Sequence, residues 1–192
     1  VHLGAVGELV EQMAGVAAAG HRRWLEDTNP EGFDVSAAMM DLTQRVLLTT
    51  MIGIRDEVEL RRLARAWDVV VTEVTRRLTF PLRLPLWAPT PRNRRFREAL
   101  AELDGAAYAA IERSRGGMEN NLVTTLLEAR DEDTGEGLDA RALRDEIMTV
   151  FSGGFETTAV TLAWLWHLLA DHPGVEARLQ QEVDTILDRG AW

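Results

Sequence analysis

Cysteine is absent from the 192-residue sequence, which excludes disulfide bridges, thiolate zinc centres and cysteine nucleophiles. Histidine is scarce. His2, His21, His167 and His172 include no pair at the i, i+4 spacing that puts two zinc ligands on one helix face. Long apolar runs are missing too: Leu162–Trp166, the longest near the end, is far short of the roughly 20 residues a membrane span needs. Val1-His2-Leu3-Gly4 has neither the basic start nor the apolar core of a secretory signal. These absences lead us to expect a soluble, cytoplasmic protein with no transmembrane segment. The start at Val1 and the end at Ala191-Trp192 suggest a piece of a longer reading frame.

Positive charge is in deficit. The formal net charge of −10 argues against nucleic acid as a partner. The basic run Arg92, Arg94, Arg95 and Arg97 is expected to be a solvated helix start or a contact with an acidic partner. Arg22-Arg23, Arg61-Arg62 and Arg76-Arg77 look like ordinary exposed helix faces. Asp131–Gly137 fails as a calcium loop, because Gly135, Glu136 and Ala142 stand where the fifth ligand, the glycine and the bidentate glutamate belong. No P-loop, dinucleotide fingerprint or Gly-x-Ser-x-Gly elbow is present.

What the sequence does contain is helical period, nearly everywhere. Leu3, Val6, Leu9, Val10, Met13, Val16 and Ala17 make a stripe in a first helix, before a turn at Asn29-Pro30-Glu31-Gly32. A second helix runs from about Ser36 to Gly53 with Met39, Met40, Leu42, Val46, Leu47 and Leu48 inward. A third, from about Asp56 to Leu78, buries Leu60, Leu63, Ala64, Trp67 and Val71. Four of the six prolines fall between Phe80 and Pro91, which must be a loop. A fourth helix, from Pro91 to Ser114, turns Phe96, Leu100, Leu103, Ala107, Tyr108 and Ile111 inward. A shorter helix covers Glu119–Ala129, a long one Asp139–Asp171, and a last one runs from Pro173 to fraying at Gly190. Trp164, Trp166 and His167 read as core or boundary residues. No strand pair is convincing, so the fold class is all-α, with about seven helices.

The stretch Ser152-Gly153-Gly154-Phe155-Glu156-Thr157-Thr158-Ala159 interrupts the longest helix with its least helical residues. Each interior glycine costs about 1 kcal/mol relative to alanine, so close approach to the backbone or a deformed turn is expected there. Gly153 and Thr157, four apart, share a face. One reading is a tight helix crossing, with the threonines bonded back to their own carbonyls. That alternative makes the chain a helical ligand-binding or protein-interaction module without haem.

The octet also resembles the oxygen-activation signature of the cytochrome P-450 family, small-Gly-x-acid-Thr-Thr. Its flanks, Leu143-Arg144-Asp145-Glu146-Ile147-Met148-Thr149 and the His172-Pro173 turn, resemble that family as well. The resemblance covers essentially residues 1–192 as a partial domain truncated at both ends. It implies a haem-thiolate monooxygenase that uses O2 and electrons ultimately from NAD(P)H to oxidise a small apolar substrate. A ferredoxin, flavodoxin or reductase would be the electron donor. It further implies Thr157 as the hydroxyl over the iron and Glu156 as the relay acid. Gly153, Gly154 and Thr158 would line the distal groove over haem b, with Thr149 and Ser152 towards the substrate. Asp56–Ser114 would match the helix pair that gates substrate access. The cysteine that ligates the iron in that family is not in this chain, nor are the E-x-x-R pair and the cysteine loop. The chain alone is therefore expected to be inactive.

Overall fold

The computed structural model describes residues 3–26, 32–80, 85–117 and 121–188. Eight helical segments follow one another: α1 (Leu3–Glu26), α2 (Val35–Met51), α3 (Glu57–Thr79), α4 (Pro91–Arg115), α5 (Leu122–Glu128), α6 (Ala140–Gly154), α7 (Glu156–Asp171) and α8 (Pro173–Asp188). Among the described residues the only β pairing is one isolated bridge, between Arg130 and Gly137. The all-α expectation holds, and α6 with α7 counts as one interrupted helix in the sevenfold reading. The remainder of the Asn29–Gly32 turn before Gly32, the Glu119 helix start and the fraying at Gly190 lie outside the described residues.

Helix starts are set locally. Asp34, Asp56, Thr90, Asn121 and Asp139 each accept a hydrogen bond from the backbone N–H three residues on, at 3.1, 2.8, 3.1, 3.1 and 2.7 Å. Each such cap is worth about 1 kcal/mol relative to alanine. Pro91 adds a preset φ at the first position of α4. At the other end of α2, Gly53 has φ +77°, which lets the chain reverse, and the Ile54 N–H reaches the Leu48 carbonyl at 2.9 Å.

One apolar core joins α2, α3, α4, α5 and α6. Leu63, Ile111, Val123, Leu143 and Phe155 are its most completely buried large residues. The tightest associations are α2 with α7, and α3 with α4. Arg144 on α6 pairs with Asp104 on α4 and tethers the two helices.

Four inward assignments are corrected. Tyr108 is 42 % exposed, because Leu103, Ala107, Ala110 and Ile111 take the buried face of α4 and leave Tyr108 at its edge. Trp164 and Trp166 are 60 % and 51 % exposed, and His167 is exposed beside Trp164. α7 is apolar on nearly every side, so hydrophobicity alone could not choose which side the fold covers.

Arg76-Arg77 is not an ordinary exposed pair either. Glu73 is buried on α3 and accepts from Arg76 Nη2 at 2.9 Å and Arg77 Nε at 2.7 Å. Arg92, at the start of α4, comes within 3.4 Å of the same carboxylate. Arg77 Nη2 also donates to Asn93 Oδ1 at 2.7 Å, and Asn93 Nδ2 donates to the Pro85 and Ala88 carbonyls at 2.8 and 3.0 Å. This chain of bonds ties the proline-rich loop to both helices it connects.

Candidate active site

The octet lies where the long helix breaks. α6 ends at Gly154, α7 begins at Glu156, and Phe155 between them has φ −98° and ψ −42°. Phe155 is 2 % exposed. Its ring packs on Trp67 of α3, with centroids 5.5 Å apart, and on Phe151, at 5.2 Å. Trp67 and Phe151 also meet edge to face at 4.7 Å. The break is thus pinned from behind by three aromatic rings, a geometry that aromatic quadrupoles favour. Phe151 and Phe155 stand four apart, the spacing that puts two side chains on one helix face. That spacing was the available sequence signal for this cluster.

On the other side, the two glycines differ. A Cβ on Gly154 would lie 3.2 Å from Leu47 Cδ1 of α2, whereas a Cβ on Gly153 would meet nothing within 4 Å. Gly154 is the helix crossing; Gly153 is the open side.

The hydroxyls bond back along the helix. Thr157 Oγ1 donates to the Gly153 carbonyl and Thr158 Oγ1 to the Gly154 carbonyl, both at 2.8 Å. Thr149 Oγ1 donates to the Asp145 carbonyl at 2.8 Å, and Ser152 Oγ to the Thr149 carbonyl at 3.0 Å. Such back-bonding satisfies the hydroxyl and loosens the turn it spans.

Thr157, Thr161, Trp164 and Leu168 fall at i, i+4, i+7 and i+11, and all four are exposed. Together with Gly153 they form one uncovered face, polar at the break and apolar beyond it. Glu156 is exposed in the first turn of α7, one residue from Thr157. The structure therefore unites Gly153, Glu156 and Thr157. Gly154 and Thr158 turn towards α2 and line an apolar cavity of about 540 Å³ with Leu47, Thr50 and Leu162.

A profile of the family described as Cytochrome P450 matches residues 5–191. The chain belongs to the cytochrome P450 family. Cyclooctat-9-en-7-ol 5-monooxygenase of Streptomyces melanosporofaciens is 38 % identical over 159 residues, covering 81 % of this chain and 34 % of that protein. Pentalenene oxygenase of Streptomyces avermitilis is 34 % identical over 86 % of this chain and 36 % of its own length. The chain thus spans about a third of the length of these P450 relatives. In solved structures, the cytochrome P450DA heme domain superposes with a TM-score of 0.79 and 27 % identity, over 92 % of this chain and 39 % of that one.

The residues on the uncovered face fit the haem that the P450 family implies. Gly153 leaves open space, a hydroxyl and a carboxylate flank it, and an apolar strip runs on along α7. The iron ligand is another matter: the chain has no cysteine. Among the described residues no cluster of His, Cys, Asp or Glu could hold a metal ion, and no helix is long and apolar enough to cross a membrane.

Proposed function

We infer that this chain is the distal wall and part of the substrate cavity of a haem-thiolate monooxygenase, within a larger cytochrome P450 domain. What carries the reading is the asymmetry of the glycine pair: one side of the broken helix is packed on α2, and the other is open beside Thr157. Thiolate-held haem b, when bound, supplies the activation of O2. Gly153 would leave room against the helix for a flat ring and a small diatomic molecule. Thr157 would hold a proton at Oγ1 next to that space, and Glu156 would replenish it through water. Thr149 and Ser152, one to two turns earlier, would border the substrate. Gly154 and Thr158 would set the groove from its inner side.

A small, largely apolar substrate is supported by the exposed Trp164 and Leu168 and by the compounds, pentalenene and cyclooctat-9-en-7-ol, for which two relatives are named. Electrons would come ultimately from NAD(P)H through a ferredoxin, flavodoxin or reductase, in the cytoplasm. The 192 residues alone, without a cysteine, would have no monooxygenase activity. The test is Thr157→Ala in the intact protein that contains this chain. Product formed per reductant consumed should fall by up to roughly a hundredfold, the low end of what a positioned proton donor contributes, with peroxide released instead. Thr157→Ser should retain most of the coupling. Undiminished coupling in Thr157→Ala removes the residue from this role.

A further inference from the structure

α7 begins without the device that starts its neighbours. Each helix from α2 to α6 opens on a side chain that accepts a hydrogen bond from its first turn, but no side chain caps α7 at Phe155. From Ser152 to Thr158, Phe155 is the one buried residue. The two glycines before it give the backbone little torsional resistance. Local capping therefore leaves the placement of the break open, and the packing of the Phe155 ring decides it.

That ring rests on Phe151 and on Trp67. Of these two, only Trp67 comes from another element. Its reach is long: among the described residues no Cα of α3 lies within 8 Å of a Cα in α6 or α7, so the indole crosses a gap that the backbones leave. Trp67 is 6 % exposed and its indole N–H has no acceptor. Apolar and ring contacts, with no hydrogen bond from that N–H, hold it in place.

Thr157 hangs on the same point. Its Oγ1 donates to the Gly153 carbonyl at 2.8 Å, a bond that spans Phe155. The Ala159 N–H closes the first turn of α7 on the Phe155 carbonyl, also at 2.8 Å. A shift of the Phe155 ring therefore moves the backbone between the Thr157 hydroxyl and the carbonyl that orients it.

We propose that Trp67 is a positioning residue for Thr157. It holds the Phe155 ring, and through it the first turn of α7, so that the Thr157 hydroxyl stays beside the open side at Gly153. The proposal rests on the reading of Thr157 as the hydroxyl that holds a proton there.

The test compares Trp67→Leu, which removes the ring, with Trp67→Phe, which keeps one, in the intact protein that contains this chain. Amide hydrogen exchange is followed without turnover, and product formed per reductant consumed is measured with it. In Trp67→Leu the amides of the first two turns of α7 should exchange up to about tenfold faster relative to those of α4, the equivalent of one aromatic contact. Product per reductant should fall roughly tenfold with KM unchanged, within the ~100-fold that a small misplacement of a reacting group can cost. Trp67→Phe should restore both. Phe155→Leu, a smaller truncation from the other side of the contact, should repeat both losses and serves if Trp67→Leu does not fold. Exchange that rises equally in α4 and α7 overturns the proposal, because a purely structural role predicts it. Coupling kept in both leucine variants but lost in Thr157→Ala overturns it as well, and leaves Thr157 its role. So does a Trp67→Phe variant as uncoupled as Trp67→Leu. Coupling kept in Thr157→Ala removes the reading of Thr157 and this proposal with it.

Discussion

Truncating Phe155 to alanine tests whether the aromatic cluster holds the helix break in place. Phe155 is 2 % exposed and contacts two other rings. Removing a fully buried phenylalanine costs about 3–5 kcal/mol, from lost transfer energy and the cavity left behind. The two ring contacts contribute about 0.5–1.5 kcal/mol each of that. Against a domain stability of about 5–15 kcal/mol this is a large fraction. Guanidinium unfolding of the intact protein, followed by far-ultraviolet circular dichroism, reads it directly. Trp67→Phe is the companion. It keeps a ring against Phe151 and Phe155 and removes an indole N–H that is buried without an acceptor. The lost area and the relieved desolvation oppose each other, so its cost should stay below about 1.5 kcal/mol, as for volume-near aromatic swaps. A loss under about 1 kcal/mol in Phe155→Ala would refute the reasoning. So would a Trp67→Phe variant more damaging than Phe155→Ala.

Two further outcomes follow from the same geometry. The Arg76 hydrogen bond, with Arg77 and the charges of both, holds the Glu73 carboxyl below its usual 4.5 although burial opposes this. A depressed carboxylate stabilises the fold above the unfolded-state value and loses that contribution as pH falls through the lower folded-state value. Glu73→Gln should therefore cost on the order of 2 kcal/mol at neutral pH, the worth of a hydrogen bond to a charged group, and flatten the acid limb of a stability–pH curve below about pH 4.5. Gly153→Ala should stabilise by up to about 1 kcal/mol, the helix-propensity gain, because its Cβ enters open space. Gly154→Val should destabilise, because its side chain runs into Leu47; urea midpoints distinguish the two.

The order and starts of the helices were legible because they are local. Asp34, Asp56, Thr90, Asn121 and Asp139 sit three residues before the amides they cap, and Pro91 announces its own position. The glycine pair and the threonines of the octet were legible for the same reason. What the sequence hid was set at long range. Arg76-Arg77 looked like an ordinary exposed face, but the Glu73 carboxylate they share is buried. Arg92, some twenty residues on, also reaches that carboxylate at 3.4 Å. The break was visible as weak helix former after weak helix former, but its placement at Phe155 depends on Trp67, nearly ninety residues earlier. Trp164 and Trp166 misled because a helix apolar on all sides has no period from which to read a buried face.

Gly153 and Gly154 are adjacent in sequence and alike in chemistry, yet they answer to different masters. The volume allowed at 154 is fixed by Leu47, a residue of the same chain, so a larger residue there could be rescued by a smaller one at 47. At 153 a Cβ would meet nothing within 4 Å among the described residues. A Cβ at 153 therefore asks no change of its neighbours, whereas a larger residue at 154 calls for a smaller one at 47. Variation at 153 would reshape the open side of the break and leave the packing on α2 as it is, whereas variation at 154 would act on that packing through Leu47.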